Sequence, residues 1–88
     1  MVGKNVYVLF TEIIEDGCIV RQTVESYANH EDACVDLKMH ALTETERLAN
    51  EHPDWKMAKG SEDYFECCKE DDIHNNHSTG KIVMNTIK

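Results

Sequence analysis

Hydrophobic and polar residues alternate along the first 27 positions of the chain, and this alternation predicts a β-hairpin. The first arm, residues 5–14, is rich in β-branched and aromatic side chains, which favour strands. Asp16-Gly17 follows, and Asp-Gly is typical of a two-residue type I′ turn because glycine tolerates a positive φ. The second arm covers residues 18–27.

A two-residue turn at this point sets the register of the predicted hairpin. It places Ile14 opposite Ile19 and, two steps further on, Glu12 opposite Arg21 in a favourable cross-strand pair. Both faces of the hairpin then carry apolar side chains, but a single helix covers only one. We therefore expect the other face to meet further strands or a partner chain. The two predicted faces are Tyr7, Leu9, Ile13, Val20 and Val24, and Val6, Val8, Phe10, Ile14 and Ile19.

Residues 29–51 have apolar positions at helical spacing and predict one long helix. Asn29 is a good N-cap, and Pro53 marks the exit. The apolar arc includes Met39 and Leu42 and is wider than the roughly 100° that a helix packed on a sheet requires. Either another chain or a neighbouring loop of the same chain would cover the extra width.

The second half of the chain predicts two more strands, at residues 64–70 and 81–87, separated by the polar stretch 71–80. No element is predicted at residues 54–63, although Trp55 and Met57 are expected to be buried against the helix end. The predicted order is ββαββ. We expect an α+β fold, with a four-stranded, mainly antiparallel sheet, one long helix packed on one face, and residues 1–88 forming a single domain.

Composition excludes two classes of partner. The chain has 17 acids against 9 bases and a net charge of −8, so it lacks the Lys and Arg footprint that binds nucleic acid. No apolar stretch approaches the roughly 20 residues that cross a bilayer, so we expect no membrane partner. The start of the chain does not have the pattern of a signal peptide, which predicts a cytoplasmic protein with reduced thiols.

Part of the chain resembles a hairpin-then-helix pattern found in small uncharacterised proteins of bacteria and phages. The resemblance rests on Val6-Tyr-Val-Leu-Phe10, on the Asp16-Gly17 turn and on the helix start Asn29-His-Glu-Asp-Ala-Cys34. It covers residues 6–42, under half of the chain. It implies a compact accessory protein, and it carries no functional residues across.

Cys67, His74 and His77 are the candidate metal ligands, because thiolate and imidazole groups near a turn are what zinc prefers. Cys67 and Cys68 are adjacent in a strand and point to opposite faces, so at most one of them can join the histidines. The spacing differs from that of structural zinc sites, and an ordinary polar loop explains it equally well. We expect no required cofactor, with zinc as the alternative.

No cysteine lies in a motif that activates a thiol. Cys18 and Cys34 are therefore expected to be buried as small hydrophobic residues. With 17 acids in the chain, some carboxylates lie close together by chance, and none has the pattern of a catalytic pair. We predict no catalytic residue.

The sequence favours a small acidic protein-interaction module that forms a homodimer and has no catalysis of its own. The predicted contact surface contains Phe10, Ile14, Met39 and Leu42. One alternative is a metal-binding protein or enzyme that uses Cys67, His74 and His77. Another is an acidic inhibitor that mimics nucleic-acid phosphates and docks a basic protein partner. Its acidic residues would be Glu70, Asp71 and Asp72.

Overall fold

The computed structural model describes residues 4–87 and the side chains of residues 5–86. Its elements, in chain order, are β1 (Lys4–Glu15), β2 (Cys18–Tyr27), α1 (His30–Glu51), β3 (Lys56–Gly60), β4 (Tyr64–Cys68) and β5 (His77–Ile87). The strands form one sheet in the order β2-β1-β5-β4-β3, and every neighbouring pair is antiparallel. The predicted α+β class with one helix is confirmed. The predicted four strands and ββαββ order are wrong, because β3 adds a fifth strand.

Strand β3 has no sequence pattern of its own. Its five residues are all exposed, so no alternation of buried and exposed positions marks it as a strand. It lies at the edge of the sheet and is held by pairing with β4, with an irregularity between Met57 and Lys59. Backbone hydrogen bonds to a neighbour, rather than side-chain burial, place this segment in the sheet. Met57 is exposed, contrary to the prediction, whereas Trp55 is buried as expected.

The hairpin turn forms as predicted, but the register beyond it does not. Asp16 and Gly17 both have positive φ, 52° and 77°, as a type I′ turn requires. Ile14 does lie opposite Ile19. A bulge then shifts the register by one residue, because two residues on one strand oppose one on the other. Glu12 therefore lies opposite Gln22 instead of Arg21.

The bulge also changes which apolar residues share a face. Val24 lies opposite Phe10 instead of Leu9, so it joins the Phe10 face of the sheet. Leu9 lies opposite Glu25. The β1–β2 hairpin consequently has more apolar side chains on the Phe10 face than the regular register predicts.

Strand β5 begins at His77, four residues earlier than the predicted strand at 81–87. It pairs with β1 over its whole length and joins the hairpin to β4. Ser78 is fully buried beneath the helix, and a Cβ at Gly80 would come within 2.6 Å of the Leu37 Cδ1 atom. The small polar residues that resemble a loop in the sequence therefore permit close approach of helix and sheet.

Helix α1 packs on one face of this sheet. Asn29 has extended backbone angles, and its side chain accepts a hydrogen bond of 2.9 Å from the Asp32 N–H, as an N-cap does. At the other end, the His52 N–H donates to the Leu48 carbonyl at 2.8 Å. The core between helix and sheet is small, and its buried cluster consists of Leu9, Leu37, Leu48, Trp55, Phe65 and Cys67.

The molecule is elongated for its length. Its radius of gyration is 14.2 Å, whereas a compact chain of this size has about 12 Å. Its extents are 50 × 21 × 17 Å, so it is little more than one sheet and one helix thick. Within residues 4–87, no helix is long and apolar enough to cross a membrane.

Candidate functional site

The face of the sheet turned away from α1 carries several apolar side chains that α1 does not cover, and we call it the open face. It is formed by one set of alternating residues from β1, β2, β5 and β4. Phe10 and Val83, on the inner strands β1 and β5, keep 36% and 38% of their surface exposed, and Val24, on the edge strand β2, keeps 64%. The apolar members of the open face are Val6, Val8, Phe10, Ile14, Ile19, Val24 and Val83.

Polar groups cross the middle of the open face. One Glu12 carboxylate oxygen lies 3.1 Å from the His77 Nε2 atom, and the other accepts a hydrogen bond of 3.3 Å from Gln22. The Lys81 ammonium lies 5.7 Å from the centre of the Phe10 ring, within the range of a cation–π contact. These groups surround a depression of about 420 Å³, so the surface is concave as well as apolar.

Strand β4 contributes a second carboxylate to the open face. Glu66 lies opposite Thr79 and accepts a hydrogen bond of 2.5 Å from the Tyr64 hydroxyl. This bond, with burial, raises the pKa of Tyr64 to about 12. The phenol therefore stays protonated and acts only as a donor to Glu66 near neutral pH, which is a positioning contact rather than an acid–base site.

The four predicted interface residues lie on two separate surfaces. Phe10 and Ile14 are on the open face. Met39 and Leu42 are on the outer side of α1, in the other layer of the molecule, where they are 57% and 63% exposed. Val35 continues that stripe one turn earlier. One flat contact cannot include all four predicted residues.

The face of the sheet beneath α1 contains a cluster of polar side chains that hydrogen-bond to one another. Glu44 is buried, accepts hydrogen bonds from Arg47 at 2.8 and 2.9 Å, and accepts a third from Ser78 at 2.7 Å. Arg47 also donates to Glu15 and Glu51, both at 2.7 Å. Burial on its own would raise the pKa of Glu44, but the hydrogen bonds from Arg47 and Ser78 outweigh it and hold that pKa below its usual value. The cluster is a structural ion pair that needs no ligand.

The residues predicted to bind zinc do not come together. Cys67 is buried on the helix side of β4, opposite Ser78, while His77 lies opposite Ile14 on the open face. The His77 ring is already occupied, with Nδ1 2.8 Å from the Ile73 carbonyl and Nε2 against Glu12. His74 is exposed in the loop before β5.

The predicted acidic residues have different surroundings. Glu70 lies 3.6 Å from the Lys56 ammonium in an exposed pair, and Asp71 is exposed. Asp72 accepts hydrogen bonds from the Asn75 and Asn76 side chains, and its backbone carbonyl accepts from the Asn76 N–H. Asp72 therefore shapes its own loop.

That loop supports the turn of the hairpin. The Asn75 carbonyl accepts from the Gly17 N–H at 3.0 Å, and the Asn76 side chain accepts from the Asp16 N–H at the same distance. The polar stretch before β5 therefore holds the β1–β2 turn against the end of the sheet.

A different cluster, which the sequence analysis did not single out, lies at the start of α1. The His30 imidazole, the Cys34 thiol and the Glu62 carboxylate each present a ligand atom, and these atoms all lie within 4.8 Å of one another. His30 and Cys34 are four residues apart on one helix, a spacing that is visible in the sequence. Glu62 comes from the loop between β3 and β4, and its approach depends on the fold.

All four cysteines are free. Cys34, Cys67 and Cys68 are buried, and burial raises the pKa of each of these three thiols. Cys18 is exposed, so the prediction that it is buried is wrong. It follows the turn on β2, which forms the edge of the sheet and receives little cover from the helix.

Comparison with known proteins adds no function to this geometry. No family model, curated protein or solved structure matches the chain.

Proposed function

We propose that this chain is a non-catalytic protein-interaction module that forms a homodimer through its open face. The observation that supports the proposal is the number of exposed apolar side chains compared with the number that are buried. Among the described residues, eleven large hydrophobic side chains are exposed, as many as the eleven apolar residues that are buried. Water contact with apolar surface is unfavourable, and a second open face would cover four of the eleven exposed side chains, Phe10, Ile19, Val24 and Val83.

The size of the open face fits a dimer at the weaker end of specific association. Strands β1, β2, β5 and β4 contribute 12, 10, 11 and 5 residues. At about 3.4 Å per residue and 4.8 Å between strands, they span roughly 600 Å². Standard interfaces bury about 800 Å² on each partner, so we expect a dissociation constant of roughly tens of micromolar.

The charge of the open face favours a copy of itself as the occupant. The chain as a whole carries −8, which would make two random surfaces repel. On the open face, however, the acids Glu12 and Glu66 alternate with Lys81 and His77. A two-fold axis that passes between Lys81 and one of these acids would set the lysine of each copy near an acid of the other, and two twisted sheets can pack face to face about 10 Å apart.

The proposal places the module in the cytoplasm, where its four free thiols would stay reduced. A basic protein partner would use the remaining acidic surface. The open face would then set the oligomeric state, and the rest of the surface would be available to other molecules.

Sedimentation velocity on two matched variants tests the proposed interface. Val24 on the open face and Leu42 on the helix are 64% and 63% exposed, so a lysine at either position perturbs an isolated chain equally little. We expect Val24→Lys to weaken dimerisation at least about 100-fold, because the dimer buries two such lysines. Leu42→Lys should leave the dimer intact.

Two outcomes contradict this assignment. A wild-type chain that stays monomeric at high micromolar concentration overturns the homodimer. A dimer that Leu42→Lys dissociates while Val24→Lys does not would place the interface on the outer side of α1 instead.

A further inference from the structure

We propose that His30, Cys34 and Glu62 form a binding site for one divalent transition-metal ion of the zinc class. The site lies at the start of α1 and shares no residue with the open face. It is also distinct from the Cys67, His74 and His77 set that the sequence suggested. Three features of the structure support it: the placement of the ligands, their mutual distances and the contact that orients the histidine.

The fold holds the three ligands on well-defined backbone. Asn29 caps the helix, so His30 and Cys34 lie one turn apart on the same side of its first two turns. Glu62 lies in the short loop between β3 and β4. That loop is closed by a hydrogen bond of 2.8 Å from the Ser61 N–H to the Tyr64 carbonyl. The backbone that carries the ligands would therefore lose little conformational freedom on binding.

The distances between the ligand atoms fit a tetrahedral ion. The Cys34 sulfur lies 3.6 Å from the His30 Nδ1 atom, 3.5 Å from Nε2 of the same ring and 3.9 Å from a Glu62 carboxylate oxygen. The His30 Nδ1 atom and that Glu62 oxygen are 3.9 Å apart. Zinc with ordinary bond lengths holds sulfur and nitrogen about 3.6 Å apart, sulfur and oxygen about 3.5 Å, and nitrogen and oxygen about 3.3 Å. An ion would draw Glu62 in by roughly half an ångström, which its 71% exposed side chain permits.

Asp63 orients the histidine in the way that metal sites require. One Asp63 carboxylate oxygen lies 2.6 Å from the His30 Nε2 atom. A histidine that carries its proton on Nε2 donates it to Asp63 and leaves the Nδ1 lone pair directed at the ion. The backbone carbonyl of Asp63 accepts from the Ile82 N–H at 2.9 Å, so the sheet fixes this residue in turn.

The chemistry of the ligands selects the kind of ion. A thiolate and an imidazole suit zinc and its transition-metal neighbours, whereas magnesium and calcium take oxygen ligands. In the free protein the Cys34 sulfur lies within hydrogen-bonding distance of the Glu62 carbonyl, at 3.6 Å. On binding, the S–H bond breaks, the proton leaves to solvent and a metal–sulfur bond forms. The thiolate and the Glu62 carboxylate together neutralise the divalent ion, and water fills the fourth position.

Titration of the reduced, full-length chain with Co²⁺ tests the site, because cobalt reports its own coordination. We expect one ion per chain, with the visible bands of tetrahedral cobalt, a thiolate-to-cobalt charge-transfer band and displacement of cobalt by Zn²⁺. Cys34→Ser should abolish the charge-transfer band. Glu62→Gln should weaken binding at least about tenfold, and Asp63→Asn about tenfold, as loss of an orienting carboxylate does.

Two control variants make the result specific. Cys18 and His74 are exposed and lie outside the proposed site, so Cys18→Ser and His74→Gln should bind cobalt as the wild type does. Circular dichroism checks that each variant folds. If Cys34→Ser does not fold, Glu62→Gln still tests the site, because the Glu62 side chain is exposed. Folded wild type without the charge-transfer band overturns the proposal. So does a band that survives Cys34→Ser or is lost in Cys18→Ser.

Discussion

The two faces of the sheet differ in what completes them. On the face beneath α1, the main buried groups are matched within the same chain: Glu44 has Arg47 and Ser78, and Gly80 makes room for Leu37. On the open face, Val24 and Phe10 have no covering layer within the part of the chain that the structure describes. The covered face forms the core of the molecule, whereas on the open face Val8 is buried but Phe10, Val24 and Val83 are exposed.

Two carboxylates show the same difference. Glu44 beneath the helix has a side chain that is 5% exposed and three hydrogen bonds from Arg47 and Ser78. Glu12 on the open face is 34% exposed and faces only His77 and Gln22. The buried carboxylate beneath the helix therefore contributes to the stability of the fold, whereas the carboxylate on the open face can exchange its partners for water or for another molecule.

The largest effect expected is from Glu44→Ala. Removing this carboxylate leaves Ser78 and part of Arg47 without partners in a buried setting, which should lower the free energy of unfolding by about 3 kcal/mol. Glu12→Ala should cost less than about 1 kcal/mol, since water can replace its partners. Urea unfolding of both variants, at a concentration where the chain is monomeric, measures the difference. Equal costs would break the comparison between the faces.

The same carboxylate predicts a loss of stability in acid. Because the pKa of Glu44 is lower in the folded chain than in the unfolded one, its contribution is complete above the unfolded value of about 4.5 and is lost as the pH falls through the folded value. Unfolding curves measured from neutral pH to about pH 3 should show this decline, and Glu44→Gln should flatten it. A wild-type profile that the substitution does not change would contradict the assignment.

A smaller effect is expected from Gly80→Ala. The added methyl group would meet the Leu37 Cδ1 atom at 2.6 Å and the His40 ring at 3.2 Å, so the buried Leu37 side chain or the helix itself must shift. We expect a loss of about 2 kcal/mol. Gly60→Ala is the matched control, because its nearest neighbour is the Met57 sulfur at an ordinary 3.4 Å, and it should stay within about 0.5 kcal/mol of wild type. Thermal unfolding distinguishes the two.

The smallest effect expected concerns His40, which faces Glu44, Arg21 and Arg47 beneath the helix. Its Nε2 atom is buried without a hydrogen-bond partner among residues 4–87. Burial lowers the pKa of His40, with Glu44 opposing. The unfolded chain therefore binds a proton more readily, so stability should fall as the pH drops from about 6.5 towards the lower folded value. His40→Leu should remove that part of the decline, and superimposable profiles of wild type and variant would refute it.

Local features of the fold were predictable from the sequence, and long-range ones were not. The Asp16-Gly17 turn and the Asn29 cap follow from the conformational preferences of a few adjacent residues, and both are confirmed. The bulge in β2 has no sequence signal, yet it moves Val24 to the other face. Strand β3 and the first residues of β5, from His77, form by pairing with other strands. These segments are polar, so their composition does not predict strands.

In the candidate sites, too, the local features were predictable from the sequence and the long-range contacts were not. An apolar surface containing Phe10 and Ile14 was predictable, because alternation places both on one face of a strand. Their separation from Met39 and Leu42 was not, since it depends on which face the helix covers. The His30 and Cys34 pair is visible as a four-residue spacing, but Glu62 reaches it only through the loop between β3 and β4.

Methyl NMR spectra recorded across a concentration series distinguish the open face from the outer side of α1, because they report on both surfaces at once. If the open face is the dimer interface, the methyl signals of Val24, Val83 and Ile19 shift between about 10 µM and about 1 mM, in step with a micromolar association, while those of Leu42 stay constant. Signals that do not move on the open face, or shifts confined to Leu42 and Met39, would contradict it.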